Sequence, residues 1–196
     1  ALMRFWRSSS QDRELASFFE GEGGRLALDD GSRVGVVGGG PAGSFFAYFL
    51  LKMAESVGID LSVDIYEPRF FNHSGPAGCN HCGGIVSESL VQLLATEGIN
   101  LPPTVVQRGI DSYVLHMDIG QVRIETPGLE KRIAGVFRGN GPREGGGKEV
   151  ESFDGHLLDL ACRQGAKVVR KLVSGIDWQG GRPLITTNDL ASQAYD

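Results

Sequence analysis

The hydrophobic positions of residues 33–66 change period twice. Residues 33–38 (RVGVVG) form a short β-branched run that ends in glycine, which is typical of a buried parallel strand. Residues 44–57 carry large apolar side chains at steps of three and four, which predicts a helix buried over much of its surface and ended by a left-handed Gly58. Its apolar positions are Phe45, Phe46, Phe49, Leu50 and Met53. Since residues 61–66 are again strand-like, this order predicts a βαβ unit with a right-handed crossover.

The pattern changes again after residue 84. Ser87 is placed to cap a helix that ends at Gly98. The residues of this helix predicted to face inward are Leu90, Leu93 and Leu94. Residues 105–126 alternate apolar and polar positions around a turn at 118–120, which predicts antiparallel strands half exposed to solvent.

The last third of the chain returns to mixed helix and strand. A glycine-rich loop at residues 139–147 precedes a predicted helix over residues 153–162. Residues 167–173 then predict one strand, and residues 176–187 predict a hairpin that turns at Gly180-Gly181.

Composition restricts the class of protein. Glycine contributes 29 of 196 residues, about twice the usual share, without the three-residue period of collagen. The glycines cluster instead, which indicates tight turns and close approach of the backbone to a ligand or another segment. The net charge of −5 argues against a nucleic-acid-binding protein, which needs a positive surplus.

Targeting and redox signals are few. Three cysteines are too few for a secreted disulfide framework, and the chain has no apolar run of the length of about 18 residues that a transmembrane helix needs. The first residues lack the apolar core of a signal peptide. We therefore expect a protein of the reducing cytoplasm, with no transmembrane segment.

The strongest chemical signal is Gly38-x-Gly40-x-x-Gly43 between the first strand and the first helix. In such a turn the first glycine permits the bend, the second lets the backbone approach a pyrophosphate, and the third lets the helix pack closely on the sheet. Glu67 ends the next strand 24 residues after Gly43, where a carboxylate can accept hydrogen bonds from an adenosine ribose. The alternative is a glycine turn in an α/β fold that binds no ligand.

Residues 36–44 (VVGGGPAGS) and 65–69 (IYEPR) resemble the FAD-binding start of the p-hydroxybenzoate-hydroxylase-like flavoproteins. Residues 82–87 (CGGIVS) are similar to a segment of the geranylgeranyl reductase family within that group. The resemblance extends over roughly residues 32–187, with specific motifs only in the first part. It implies an α/β protein with a Rossmann-like FAD/NAD(P)-binding fold, a βαβ unit with a parallel sheet, and a partial antiparallel segment of a substrate domain.

The sequence pattern and the resemblance together imply a division of the chain and a set of ligands. Residues 1–31 are expected to be an N-terminal extension, 32–102 the dinucleotide-binding βαβ part, 103–148 partial substrate-domain strands with the glycine-rich loop, and 149–196 a return to the FAD-binding domain. FAD is the expected cofactor, with NADH or NADPH as electron donor. The implied cofactor-binding residues are Gly38, Gly40, Pro41, Ala42, Gly43, Glu67, Arg69, Gly83 and Val173.

Residues 79–82 (CNHC) allow several interpretations. The resemblance places Cys82 at the border of the flavin and substrate cavity, without identifying a catalytic residue. The alternatives are a redox pair, an ordinary loop, or a zinc site; zinc is disfavoured because it usually takes a fourth ligand. We therefore expect no metal.

The resulting hypothesis is an FAD-dependent oxidoreductase that reduces or hydroxylates a small apolar or aromatic molecule. One alternative is an NAD(P)-binding dehydrogenase or regulatory module, and another is a non-catalytic subunit. Because the resembling flavoproteins are longer, we expect this chain to correspond to their N-terminal half. It would then need a C-terminal half, a partner chain or a second copy of itself to cover its open sheet.

Overall fold

The structure, a computed structural model, describes residues 28–72, 84–125, 133–139 and 151–196. Within these ranges it is a mixed α/β protein. The helices are α1 (Pro41–Val57), α2 (Glu88–Thr96) and α3 (Phe153–Arg163). The strands of the first half are β1 (Arg33–Val37), β2 (Ser62–Tyr66), β3 (Ile85–Ser87), β4 (Val106–Ile110), β5 (Ser112–Met117) and β6 (Gly120–Glu125). The remaining strands are β7 (Ile133–Val136), β8 (Lys167–Val169), β9 (Val173–Gln179), β10 (Arg182–Thr187) and β11 (Ser192–Ala194).

The strands predicted to form the dinucleotide-binding part lie in a parallel sheet of order β1-β2-β8. The predicted strand–helix–strand order over residues 33–66 is confirmed, with β1 and β2 in parallel register from Arg33↔Ser62 to Val37↔Tyr66. Val63 and Ile65 of β2 face α1 and α3 in one buried cluster. Tyr66, which points the other way, packs against Ile185 and Tyr195. The parallel sheet therefore lies between a helical layer and the antiparallel sheet of order β11-β10-β9.

Helix α1 begins at Pro41, three residues before the predicted start, because proline fits the first helical position. Its buried face consists of Ser44, Ala47, Leu51 and Ala54. The expectation that Phe46 and Met53 are buried is wrong: 54% and 67% of their surfaces are exposed. Small residues face the sheet since they allow close packing of helix on strand. The predicted stop is confirmed, with Gly58 left-handed at φ 74°.

The second buried cluster joins α2 and α3 to the antiparallel sheet of order β3-β7-β4. Ser87 caps α2 as predicted, its hydroxyl accepting from the Leu90 N–H at 3.3 Å. Leu94 is buried, whereas Leu93 is 60% exposed and was wrongly expected to face inward. The predicted strands of residues 105–126 are confirmed as β4, β5 and β6, and the tight turn between β5 and β6 lies at Asp118-Ile119. The expectation that they are half exposed is wrong for β5 and β6, since both faces of this hairpin are exposed.

The expected single strand over residues 167–173 is wrong. Strand β8 ends at Val169, and Val173 opens β9, where it is paired with Thr187 of β10. The chain turns between the two strands, with the Lys171 N–H bonded to the Val169 carbonyl at 2.8 Å. The hairpin of β9 and β10 turns at Gly180-Gly181 as predicted.

A polar network fixes the β9–β11 sheet to the parallel sheet. The buried Tyr195 hydroxyl donates to Asp64 Oδ2 at 3.0 Å and accepts from the Tyr66 hydroxyl at 2.7 Å. Arg33 also donates to Asp64, at 3.1 Å. Gly35 leaves room for this arrangement, since a Cβ there would lie 2.9 Å from the Tyr195 ring. Desolvation and the hydrogen bonds to Tyr66 and Asp64 raise the pKa of Tyr195 above its usual range.

No helix in the described part of the chain is long and apolar enough to cross a membrane.

Tyr195→Phe should reduce the free energy of unfolding by about 1–3 kcal/mol, because it removes a donor from the buried Asp64 carboxylate and an acceptor from Tyr66. Urea denaturation measures the change. The control is Tyr113→Phe, at a side chain that is 38% exposed. Equal, small effects of the two substitutions would contradict this role of the network.

Candidate functional site

The turn between β1 and α1 brings the fingerprint glycines together. Gly38 has φ +100°, a conformation that favours glycine, and its N–H donates to the Tyr66 carbonyl at 2.9 Å. A Cβ at Gly43 would overlap the Gly38 carbonyl oxygen. A Cβ at Gly40 would meet no atom of the described residues within 4 Å. Packing therefore requires glycine at 43, whereas the space over Gly40 is open to a ligand.

The start of α1 carries partial positive charge from its backbone dipole. Gly40 is the N-cap, and no side chain accepts a hydrogen bond there. The first turn contains no acidic residue. Pro41 contributes no N–H, and Ala42 is exposed. A helix end of this kind favours an anion, since its first N–H groups have no partner within the helix.

Glu67 lies immediately beyond β2 and is 2% exposed. Its Oε2 accepts from the Gly39 N–H at 3.0 Å, which joins the end of β2 to the glycine turn. The fit is close, because a Cβ at Gly39 would lie 2.7 Å from Glu67 Cβ. The sequence did not single out Gly39, although its place between Gly38 and Gly40 was a signal for this contact.

Arg69 donates the other hydrogen bonds that the Glu67 carboxylate accepts. Its backbone N–H and its Nε donate to Oε1 at 2.9 and 3.0 Å, and its Nη2 donates to Oε2 at 3.2 Å. Burial raises the pKa of Glu67, but the hydrogen bonds from Arg69 and Gly39 outweigh it and hold the pKa below its usual range. Glu67 is therefore a buried, ionised carboxylate at neutral pH.

Arg170 supports the segment that follows Glu67. Its Nη1 donates to the Glu67 carbonyl at 3.2 Å and also to the Arg69 carbonyl. Its guanidinium lies 4.6 Å from the centre of the Phe70 ring, which is 60% exposed. The backbone that carries Glu67 and Arg69 is thus bonded to the residue that follows β8.

Phe71 connects this segment to α3. It is buried with φ +54°, a strained conformation for a bulky residue. A Cβ at Gly139 would overlap the Phe71 backbone, and a Cβ at Gly155 would lie 3.7 Å from Phe71 Cβ. Gly139 therefore makes room for Phe71, whereas Gly155 is in ordinary contact with it, and the Phe71 ring lies beneath the Arg69 guanidinium at 5.0 Å.

Arg138 and Asp154 form a two-pronged ion pair beside these glycines. Arg138 Nη2 donates to Asp154 Oδ2 at 2.9 Å, and Nε donates to Oδ1. Asp154 is 5% exposed, in the first turn of α3. Asp154 lies in the first turn of a helix that the sequence predicted, but nothing local predicted its pairing with Arg138.

The structure brings seven of the predicted cofactor-binding residues to one edge of the parallel sheet: Gly38, Gly40, Pro41, Ala42, Gly43, Glu67 and Arg69. Val173 is at the first position of β9, where it packs against the cluster of Tyr66, Ile185 and Tyr195. Cys82, Gly83 and the rest of the 79–82 segment lie outside the described residues. Among the residues that are described, no three potential ligands are grouped to hold a metal.

Solved structures share the fold of this chain. The Diels-Alderase PyrE3 of pyrroindomycin biosynthesis matches 84% of the chain with a TM-score of 0.54 and 14% identity, over 31% of its own length. The halogenase PltM, solved with phloroglucinol and FAD, matches 84% with a TM-score of 0.52 and 15% identity, over 33% of its length. FqzB matches 87% with a TM-score of 0.50 and 20% identity, over 35% of its length.

The chain thus spans about a third of each of these proteins. No protein-family model and no curated protein matches it. At such low identities the likeness establishes a common fold, one that in PltM accompanies bound FAD.

Gly43→Ala should lower the free energy of unfolding by about 2 kcal/mol or more, because its Cβ collides with the Gly38 carbonyl. Gly40→Ala has open space for its methyl group and should stay within about 1 kcal/mol of the native chain. Urea denaturation of both variants tests the contrast, and a greater loss for Gly40→Ala would refute it.

Glu67→Gln should cost about 1–2 kcal/mol at pH 7, the value being reduced by the partial exposure of Arg69. A lowered folded-state pKa stabilises the chain above the unfolded value and loses that contribution as the pH falls through the folded value. The difference between native chain and variant should therefore shrink below about pH 4.5, the unperturbed value. Urea denaturation from pH 7 to pH 3 checks this, and a difference independent of pH would contradict it.

Proposed function

We propose that this chain binds FAD in a Rossmann-like fold and forms the FAD-binding part of an oxidoreductase. The observation that carries the proposal is the geometry of one edge of the parallel sheet. An open Gly40 precedes a 17-residue helix whose first turn holds no acidic residue, and a buried acid lies beside the same turn. Pyrophosphate fits the first feature and a ribose the second.

Each residue of this edge has a role in the proposal. The open backbone at Gly40 and the N–H groups of Ala42 and Gly43 would hold the pyrophosphate, while Pro41 fixes the helix start. Glu67 would accept hydrogen bonds from the ribose hydroxyls. Arg69 is added as a cofactor contact by its position two residues after Glu67. The family resemblance adds Gly83 and Val173 as cofactor contacts and Cys82 as a neighbour of the flavin and substrate cavity.

Bound FAD would supply electron transfer, and the protein would supply binding and orientation. We propose a small apolar or aromatic substrate that is reduced or hydroxylated, with NADH or NADPH as electron donor and the cytoplasm as location. The fold shared with PltM, a halogenase solved with FAD, supports a flavin over a nicotinamide in this site.

One observation favours the second candidate, a subunit that acts with another chain. Residues of one face of the β5–β6 hairpin pair across the two strands and are all apolar and exposed: Tyr113, Leu115, Met117, Val122 and Ile124. A two-stranded sheet with an uncovered apolar face is marginally stable by itself. Light scattering of the purified chain, alone and with FAD, separates a monomer from an assembly with itself.

Gly40→Val should abolish FAD binding, because its side chain fills the space where the backbone would meet the pyrophosphate. FAD titration followed by flavin fluorescence measures binding, and urea denaturation checks folding, since valine at an N-cap costs about 1 kcal/mol.

The matched control is Gly175→Val on β9, where the one atom of the described part of the chain that a Cβ meets is Asp177 Oδ2 at 3.9 Å. FAD affinity should be unchanged in this control. Native FAD affinity in Gly40→Val would refute the placement of the pyrophosphate, and a native chain with no affinity for FAD would refute the proposed function.

A further inference from the structure

The Glu67 carboxylate has no acceptor position left for a ribose. A carboxylate offers about four acceptor sites on its two oxygens. Oε1 receives the backbone N–H and Nε of Arg69, and Oε2 receives the Gly39 N–H and Nη2 of Arg69. Two ribose hydroxyls can therefore bind only if donors already in place leave.

The four donors differ in how easily they can leave. The Gly39 N–H belongs to the glycine turn, and Gly39 lies so close to Glu67 that an added Cβ would be 2.7 Å from Glu67 Cβ. The Arg69 backbone N–H belongs to a segment that Arg170 fixes by hydrogen bonds to the Glu67 and Arg69 carbonyls. The Arg69 side chain is 52% exposed and has rotatable bonds that lead to solvent. Its guanidinium is the group that a ribose would displace.

A cation–π contact, in addition to the ion pair, holds the Arg69 side chain in its position over Glu67. Its guanidinium lies 5.0 Å from the centre of the Phe71 ring, a cation–π distance. Phe71 is 2% exposed and belongs to the buried cluster formed by α1, β2 and α3, so the ring has little freedom to follow the arginine outward. Release of Arg69 from Glu67 therefore has a free-energy cost that nucleotide binding must offset.

We propose that Arg69 is a competitor of the ribose: its guanidinium closes Glu67 in the free chain and must swing away before an adenosine ribose can bind there. This inference rests on the proposed dinucleotide site and reverses the role expected of Arg69 from the sequence. A direct ligand adds affinity, whereas a competitor lowers the apparent affinity in proportion to the closed fraction. The sign of the effect of removing Arg69 distinguishes them.

The variant is Arg69→Met, which removes the guanidinium and keeps an apolar stem over Phe71. The probes are ADP and 2′,3′-dideoxy-ADP, which share the phosphates and differ in the hydroxyls that Glu67 would bind. The ratio of their affinities, measured by calorimetry on the full chain, cancels the loss of a positive charge near the phosphates. We expect Arg69→Met to raise the preference for ADP about 2- to 5-fold, the range of a partly exposed ion pair.

Three further variants complete the test. Arg123→Ala removes an exposed arginine of the β5–β6 hairpin and should leave the ratio unchanged. Arg69→Lys, which keeps the charge and loses the fork of donors, should raise the ratio by a smaller factor. In the double variant Glu67→Gln/Arg69→Met the gain should disappear, because the competition requires the carboxylate.

If the native chain binds ADP and the affinity ratio is unchanged or lowered in Arg69→Met, the competition is overturned and the proposed function still stands. A native chain that binds neither ADP nor FAD overturns both. Urea denaturation of every variant confirms that the affinities belong to folded protein.

Discussion

The hydrogen bond between the Gly39 N–H and the buried Glu67 carboxylate is the constraint on which the candidate site depends. A buried carboxylate is costly unless donors surround it, and here they come from the glycine turn and from Arg69. The bond draws the turn after β1 against the end of β2. This packing of the turn on β2 accounts for the close contacts at Gly39 and Gly43 and for the open space at Gly40.

Local signals were enough to predict much of the fold. Gly58 ends α1 and Ser87 begins α2 through contacts within a few residues, so their roles could be inferred from sequence. The exposure of Phe46 could not, because it depends on which face of α1 meets the sheet. The same holds for Val173, whose place in β9 depends on pairing with Thr187, 14 residues away.

In the candidate site, too, local spacing could be predicted from the sequence and side-chain geometry could not. The spacing of Gly38, Gly40 and Gly43 from Glu67 predicted that they belong together, and the structure brings them to one edge. The saturation of Glu67 by Arg69 is a matter of side-chain geometry that no spacing encodes. The pairing of Arg138 with Asp154 likewise depends on the packing of α3 beside Phe71.

The network at Tyr195 has a consequence for how the chain opens. Besides the hydroxyl contacts to Asp64 and Tyr66, the Asp196 N–H donates to the Arg33 carbonyl at 2.9 Å, and the Arg33 N–H donates back to the Asp196 carboxylate at 2.9 Å. The β9–β11 sheet is thus bonded to the first strand of the parallel sheet, across 163 residues of chain. Amide protons of β1 and β10 would exchange with solvent as one cooperative unit, and motion in the hairpin layer would reach the glycine turn through β1.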